Sequence, residues 1–176
     1  MSRGITKRIV FFAVLIIVCG CTKQQARRPI HQSETQQFEN SVQANQLQLA
    51  RETEIIEQWV IAQDNIFSST PFGTYYHFVN PKNRPIVDPE KINKLYMRLE
   101  RLDGSEIYDW SVIENPSKNQ NVLSGVVRGL TFTPIGVETI MAMTSFLAYG
   151  STGDGKLIGP YTPIVARIYI PLNQNK

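Results

Sequence analysis

A glycine-spaced loop followed by one alternating strand, close to the C-terminal end, constrains the fold of this chain most. The apolar residues of the strand occupy every second position: Ile164, Ala166, Ile168 and Ile170. Pro163 can open such a strand and Pro171 must end it, because proline has no N–H to donate to a β-ladder. Four glycines precede it within ten residues: Gly150, Gly153, Gly155 and Gly159. The segment therefore predicts a tight flap or turn that leads into a half-buried strand.

The preceding part of the chain combines strand patterns with one short helix pattern. Residues 68–78 give a turn and an aromatic strand, and residues 92–109 give two strands around a turn at Asp103-Gly104. Four apolar residues then share one helical face: Leu123, Val126, Val127 and Leu130. A further strand is predicted over 137–146. The order of strands, one helix and strands predicts an α+β fold rather than a series of βαβ units.

A long helix is predicted before this domain, over residues 33–65. Ser33 and Gln36 form a capping box, and no proline or glycine follows before Gln63. One apolar stripe runs along the helix: Phe38, Val42, Leu49, Ile56 and Trp59. Asn45 and Glu52 interrupt it where a strong coiled coil would have aliphatic residues. The helix either packs on its own domain or forms an arm that spaces the domain or makes a homodimer through residues 33–65.

The N-terminal segment has a basic start, an apolar run over residues 9–18 and the sequence Val18-Cys19-Gly20-Cys21. The run is short for a membrane span and is typical of a signal peptide. Its end resembles the bacterial lipobox, which implies cleavage before Cys21 and attachment of lipid to that residue. We therefore expect a leader over 1–20, a tether over 21–32 and a lipid-anchored protein of the cell envelope, on the periplasmic side of the inner or outer membrane. An ordinary signal peptide and an uncleaved anchor are the alternatives.

Composition argues against several classes of function. Of the 18 basic residues, three precede Cys21 and no acidic residue does, which leaves 15 basic against 15 acidic residues and no basic stripe for nucleic acid. His31 and His77 are the only histidines and lie far apart, so no metal site is expected. No phosphate-binding loop or nucleophile elbow is present in the sequence. We predict no metal, no cofactor and no nucleic acid partner. The predicted division of the chain after the tether is a helix over 33–65 and a domain over 66–176.

Glycines and apolar residues between the short helix and the flap follow one spacing: Val122-Leu123, Gly125, Gly129, Gly136 and Ala148-Tyr149-Gly150. This spacing resembles that of the FKBP-type peptidyl-prolyl isomerases, over roughly residues 70 to 172. The segment 26–32, which follows Cys21 closely, is also similar to that of the lipoproteins of this family that are associated with gliding motility. The resemblance implies a strongly bent antiparallel sheet wrapped on a short helix.

The resemblance also implies a site and a substrate class. Tyr149 would stand at the mouth of an apolar hollow, under a flap formed by residues 151–159. Its hydroxyl would donate to the carbonyl of the prolyl peptide of a proline-containing polypeptide. The implied substrate-binding residues are Val122, Leu123, Val126, Leu157, Ile158, Met97, Ile107, Tyr108 and Ala166.

Five positions depart from the pattern of the family. Val126 replaces a tryptophan, Met97 a tyrosine, Ile107 an aromatic residue and Ala166 a phenylalanine, while Tyr108 stands in place of an aspartate and Asp109 comes one position late. These exchanges predict a wider and less aromatic hollow. A folding helper with isomerase activity is one interpretation, and a weakly active or inactive binding module of a membrane-associated complex is the other. In a third interpretation Tyr149 is a corner tyrosine that only satisfies a backbone carbonyl.

Overall fold

The structure, a computed structural model, describes residues 34–81 and 83–174; the leader, the tether and Cys21 lie outside the described residues. Within the described residues there are two α-helices: α1, Glu34–Ile61, and α2, Ser124–Gly129. Short 3-10 helices cover Pro89–Lys91 and Ser145–Leu147. The strands are β1 Ser68–Ser69, β2 Thr74–Phe78, β3 Lys94–Glu100, β4 Glu106–Glu114, β5 Glu138–Met143 and β6 Ile164–Tyr169.

The six strands form one open sheet in the order β1-β2-β5-β6-β3-β4, and all neighbouring strands are antiparallel. The pairing of β3 with β4 shifts register between Met97 and Glu100, and such irregularities bend a strand and increase its twist. The predicted α+β fold is therefore confirmed. Two boundaries differ from the sequence pattern: β4 continues to Glu114 because it pairs with the start of β3, and β5 ends at Met143.

The inner face of the sheet packs against α2. Val126 and Leu130 are fully buried there, within an apolar cluster that includes the inward side of β6. Gly125 and Gly129 allow the close approach, because a Cβ atom would lie 2.7 Å from the Met143 sulfur at Gly125 and 2.6 Å from the Met141 terminal methyl at Gly129. The helical glycines of the sequence pattern are thus the positions at which α2 contacts β5.

The outer face of the sheet packs against the C-terminal half of α1. Ile56 is fully buried in a second cluster with Ile140, Ala142 and Val165 of the sheet. Nearer to its start the helix is exposed: 69% of Phe38 is accessible to solvent. The helix ends at Ile61, before the predicted end at residue 65, and in the described part of the chain no helix is long and apolar enough to cross a membrane.

Candidate functional site

A cleft of about 470 Å³ lies between the start of α2, strand β4 and the two segments that follow β5. Four of the residues predicted for the site meet at it: Tyr149, Tyr108, Val122 and Leu123. The other lining residues are Gln120, Asn121, Ala148, Asp154 and Lys156. The cleft therefore has an apolar patch formed by Val122 and Leu123 just before α2, and polar residues on both sides of it: Gln120 and Asn121 before α2, and Asp154 and Lys156 on the flap.

Tyr149 stands on a sharp corner directly after the 3-10 helix Ser145–Leu147. The turn is made by Gly150, which has a φ of +65° and whose N–H donates to the Ser145 carbonyl at 2.7 Å. Tyr149 is half-buried, and no hydrogen bond to its hydroxyl occurs among residues 34–81 and 83–174. Burial, and to a lesser degree the negative charge of Asp154, raises the pKa of Tyr149, so the hydroxyl remains a hydrogen-bond donor at neutral pH. A corner tyrosine that only satisfies a backbone carbonyl does not fit this arrangement.

The flap on the other side of the cleft is organised by Asp154. Its Oδ1 accepts hydrogen bonds from the backbone N–H groups of Lys156, Leu157 and Ile158 at 2.8, 3.0 and 2.8 Å. Its Oδ2 accepts a hydrogen bond from the Tyr108 hydroxyl, which ties the flap to β4. The Tyr108 hydrogen bond, followed by the backbone N–H groups, lowers the pKa of Asp154 to about 2, so this carboxylate is ionised at neutral pH.

The floor of the hollow is closed. Val126 and Ala166 have no exposed surface, and neither lines the cleft. Three methionines share the apolar cluster with them: Met97, Met141 and Met143. Val126 and Ala166 therefore belong to the packed core and do not line an open hollow, which differs from the wider hollow predicted from the sequence.

No protein-family model matches the chain, and no curated protein matches it. Solved structures do. A peptidyl-prolyl cis-trans isomerase from Pseudomonas syringae pv. tomato superposes with a TM-score of 0.55 at 21% identity, over 74% of this chain and 96% of that one. FkpA from Escherichia coli gives 0.54 at 14% identity, over 97% of this chain and 72% of that one. The chain has the FKBP fold. AtFKBP13, with a TM-score of 0.52 and 16% identity, matches over 99% of its own length but 62% of this chain.

Within this FKBP fold, the remaining predicted site residues lie behind or above the cleft. Met97, Ile107 and Ile158 are buried, at 8%, 7% and 3% exposure, and belong to the same apolar cluster as Val126. Leu157 projects from the flap and is 54% exposed. These four residues, like Val126 and Ala166, are not part of the lining, which is formed instead by the flap edge, the Tyr149 corner, Tyr108 of β4 and the segment just before α2.

Several lining residues were missed by sequence reasoning. Gln120 and Asn121 precede α2 in a loop without periodicity, so nothing in the sequence pointed to them. Asp154 carried a usable signal, because an aspartate followed by glycine often accepts hydrogen bonds from the backbone of its own turn. Among the described residues there is no group of three His, Cys, Asp or Glu side chains that could hold a metal ion.

Proposed function

We propose that this chain is a peptidyl-prolyl cis-trans isomerase that acts on proline-containing polypeptides outside the cytoplasm. The observation that carries the proposal is the Tyr149 hydroxyl, which lies at a cleft beside Val122 and Leu123 and has no partner among the described residues. The FKBP fold is shared with a solved peptidyl-prolyl isomerase, which supports the same reaction class.

The proposed chemistry uses few groups. Rotation about an X-Pro bond is slow because the partial double bond of the amide must be broken, with a barrier of about 18 to 20 kcal/mol. The Tyr149 hydroxyl donates to a carbonyl of the bound prolyl segment and fixes its orientation. Val122 and Leu123 offer an apolar surface, beside which the less polar, twisted amide loses less solvation than the planar one. Each tenfold acceleration requires about 1.4 kcal/mol of this preference.

The test is a prolyl isomerisation assay on short X-Pro peptides and on an unfolded protein whose refolding is limited by proline. Tyr149→Phe is expected to lower kcat by a few-fold to tenfold, since one hydrogen bond contributes about 0.5 to 1.5 kcal/mol. Tyr161→Phe is the matched control, because Tyr161 is a neighbouring tyrosine that is 40% exposed and does not line the cleft. Absence of isomerisation in the wild type would refute the enzyme proposal.

A second function, binding without turnover, is favoured by the closed floor and the polar residues of the cleft. Val126 and Ala166 do not reach the cleft, and Gln120, Asn121, Asp154 and Lys156 occupy much of its lining. A binding module of a membrane-associated complex predicts negligible isomerisation, and Tyr149→Phe would then change only the Kd for a proline-containing segment. Calorimetric titration with an X-Pro peptide, run beside the activity assay, separates the two functions.

The proposed location is the cell envelope, with the chain anchored through lipid on Cys21. Support comes from the sequence Val18-Cys19-Gly20-Cys21, which lies outside the described residues. Cys21→Ser is expected to abolish fatty-acid labelling and to release the chain from the membrane fraction. Cys19→Ser is the control, since Cys19 would leave with the leader. Folding or assembly of motility or secretion proteins in that compartment is the cellular role we propose.

A homodimer through residues 33–65, formed by the exposed part of the apolar stripe, is also proposed. Phe38, Val42 and Leu49 are 69%, 37% and 43% exposed, whereas Ile56 of the same stripe is fully buried on the sheet. A second copy of the helix would cover this exposed part of the stripe. Phe38→Ser with Val42→Ser should shift the mass measured by light scattering from dimer to monomer; an unchanged mass would contradict the proposal.

A further inference from the structure

The helix α1 reaches the candidate site through one buried carboxylate. Glu52 is 1% exposed, and its Oε2 accepts a hydrogen bond from the Ser145 backbone N–H at 2.6 Å. Its Oε1 accepts from the Ser145 hydroxyl and from the Gln48 side-chain amide, both at 2.9 Å. Ser145 follows Glu52 by 93 positions, so this contact joins distant parts of the chain.

Ser145 is the residue from which the Tyr149 corner is built. The Ser145 carbonyl accepts hydrogen bonds from the N–H groups of Ala148, at 2.9 Å, and Gly150, at 2.7 Å. These two residues flank Tyr149 on either side. A displacement of Ser145 would therefore move both backbone anchors of Tyr149 together.

A carboxylate with this degree of burial is costly to desolvate unless donors satisfy it. No cation pairs with Glu52 within the part of the chain that the structure describes, and three donors take that role instead. Hydrogen bonds to an ionised acceptor are shorter and stronger than neutral ones, and their direction is restricted. Glu52 therefore fixes the position of Ser145 more tightly than an apolar contact between α1 and the sheet would.

We propose that Glu52 is a positioning residue for Tyr149, and that α1 through this contact helps to set the geometry of the site. The catalytic part of this inference rests on the proposed isomerase function. The structural part, that Glu52 holds the segment 144–150 in place, does not depend on any activity.

The experiment compares Glu52→Gln with Glu57→Gln in the full chain, purified in detergent. Glutamine replaces one acceptor oxygen with an NH₂ group and removes the negative charge, so one of the two oxygens that accept hydrogen bonds is lost and the remaining bonds are weakened. Glu57 is the matched control: it lies on the same helix, and its Oε1 accepts a hydrogen bond from the Tyr75 hydroxyl at 2.8 Å, away from the Tyr149 corner. Two measurements are made on both variants: hydrogen exchange of the peptide that covers residues 144–150, and kcat and KM for an X-Pro peptide.

Glu52→Gln should speed amide exchange in residues 144–150 by about tenfold, as expected for the loss of one hydrogen bond, and Glu57→Gln should leave it unchanged. Glu52→Gln should lower kcat by about five- to tenfold and change KM by less than about twofold. In a Tyr149→Phe background, Glu52→Gln should reduce kcat by less than about twofold, because both changes then act on one hydrogen bond to substrate.

Unchanged exchange in residues 144–150 of Glu52→Gln overturns the proposal, as do losses in kcat that multiply fully in the double variant. A wild type without isomerase activity refutes the proposed function alone, and the exchange comparison then decides the role of Glu52. Ser145→Ala supplies a second variant if Glu52→Gln does not fold: it removes only the hydroxyl donor, so exchange should rise about threefold, and no rise counts against the proposal.

Discussion

Two walls of the cleft are the corner over residues 144–150 and the flap over residues 151–159. One carboxylate organises each wall, but the carboxylate of the flap is close in sequence and that of the corner is distant. Asp154 belongs to the flap that it orders and binds N–H groups two to four positions further along the chain. Glu52 belongs to α1, is buried, and binds a residue 93 positions away. The flap is thus ordered mainly by hydrogen bonds within its own segment, with added side-chain contacts from Tyr108 and Arg101, whereas the corner depends on the packing of a distant helix.

This difference indicates how each wall would respond to change. A flap that is held by its own backbone can loosen while the core stays intact, because local openings need not follow global unfolding. The corner cannot loosen without disturbing the contact between α1 and the sheet, where Ile56 is fully buried. Substitutions in the two walls should therefore separate into local and global effects.

The largest effect is expected for Glu52→Ala. It leaves the Ser145 N–H and hydroxyl buried without their acceptor and should lower the free energy of unfolding by about 2 to 4 kcal/mol. Chemical denaturation measures this loss. Asp154→Ala is the counterpart in the flap and should lower the free energy of unfolding clearly less. Equal losses in the two variants would contradict the distinction between the walls.

The next effect concerns two glycines of the flap with almost the same backbone angle. Gly153 and Gly155 have φ values of +69° and +70°, so alanine is strained at both, by about 1 to 2 kcal/mol. At Gly153 the new Cβ would in addition lie 2.1 Å from the Ile158 carbonyl oxygen, while at Gly155 it would meet nothing within 4 Å. Hydrogen exchange at residues 156–158 should therefore rise much more in Gly153→Ala than in Gly155→Ala, and similar rises would contradict the local account of the flap.

A smaller and more specific effect is expected at the two tyrosines that face the cleft. Tyr108→Phe removes the bond between β4 and the Asp154 carboxylate and should raise KM for an X-Pro peptide by about two- to fivefold with little change in kcat. Tyr149→Phe should instead lower kcat with little change in KM. Steady-state kinetics of both variants test this division, which fails if Tyr108→Phe lowers kcat as much as Tyr149→Phe does.

The smallest effect is the acid response of the flap. The pKa of Asp154 is lowered to about 2 from an ordinary value of 3.8, so its ionised form stabilises the folded state. That contribution is fully present above the ordinary value and is lost as the pH falls through about 2. A carbon-13 NMR titration of the Asp154 carboxyl measures the shift directly, and Tyr108→Phe should move the midpoint upward. A midpoint near 3.8 in the wild type would contradict the ordering of the flap by this residue.

The sequence by itself determined most of the secondary structure and the fold class. Alternation over residues 164–170 identifies β6, and the inward residues it predicts are fully buried. The shared helical face of Leu123, Val126, Val127 and Leu130 identified the short helix, while the position of Tyr149 was implied by the resemblance to the FKBP-type isomerases. The helix and the strand are local features, because the period of an apolar pattern depends only on neighbouring residues.

Only the tertiary structure decided which distant groups meet. The closed floor at Val126 depends on methionines of other strands, and the exposed and buried halves of α1 depend on where the sheet ends beneath it. In the sequence, Glu52 is an interruption of an apolar stripe, with no sign of a partner. The fold brings the Ser145 N–H and hydroxyl to it, and a buried carboxylate becomes favourable only where such donors converge, which no pattern of neighbouring residues encodes.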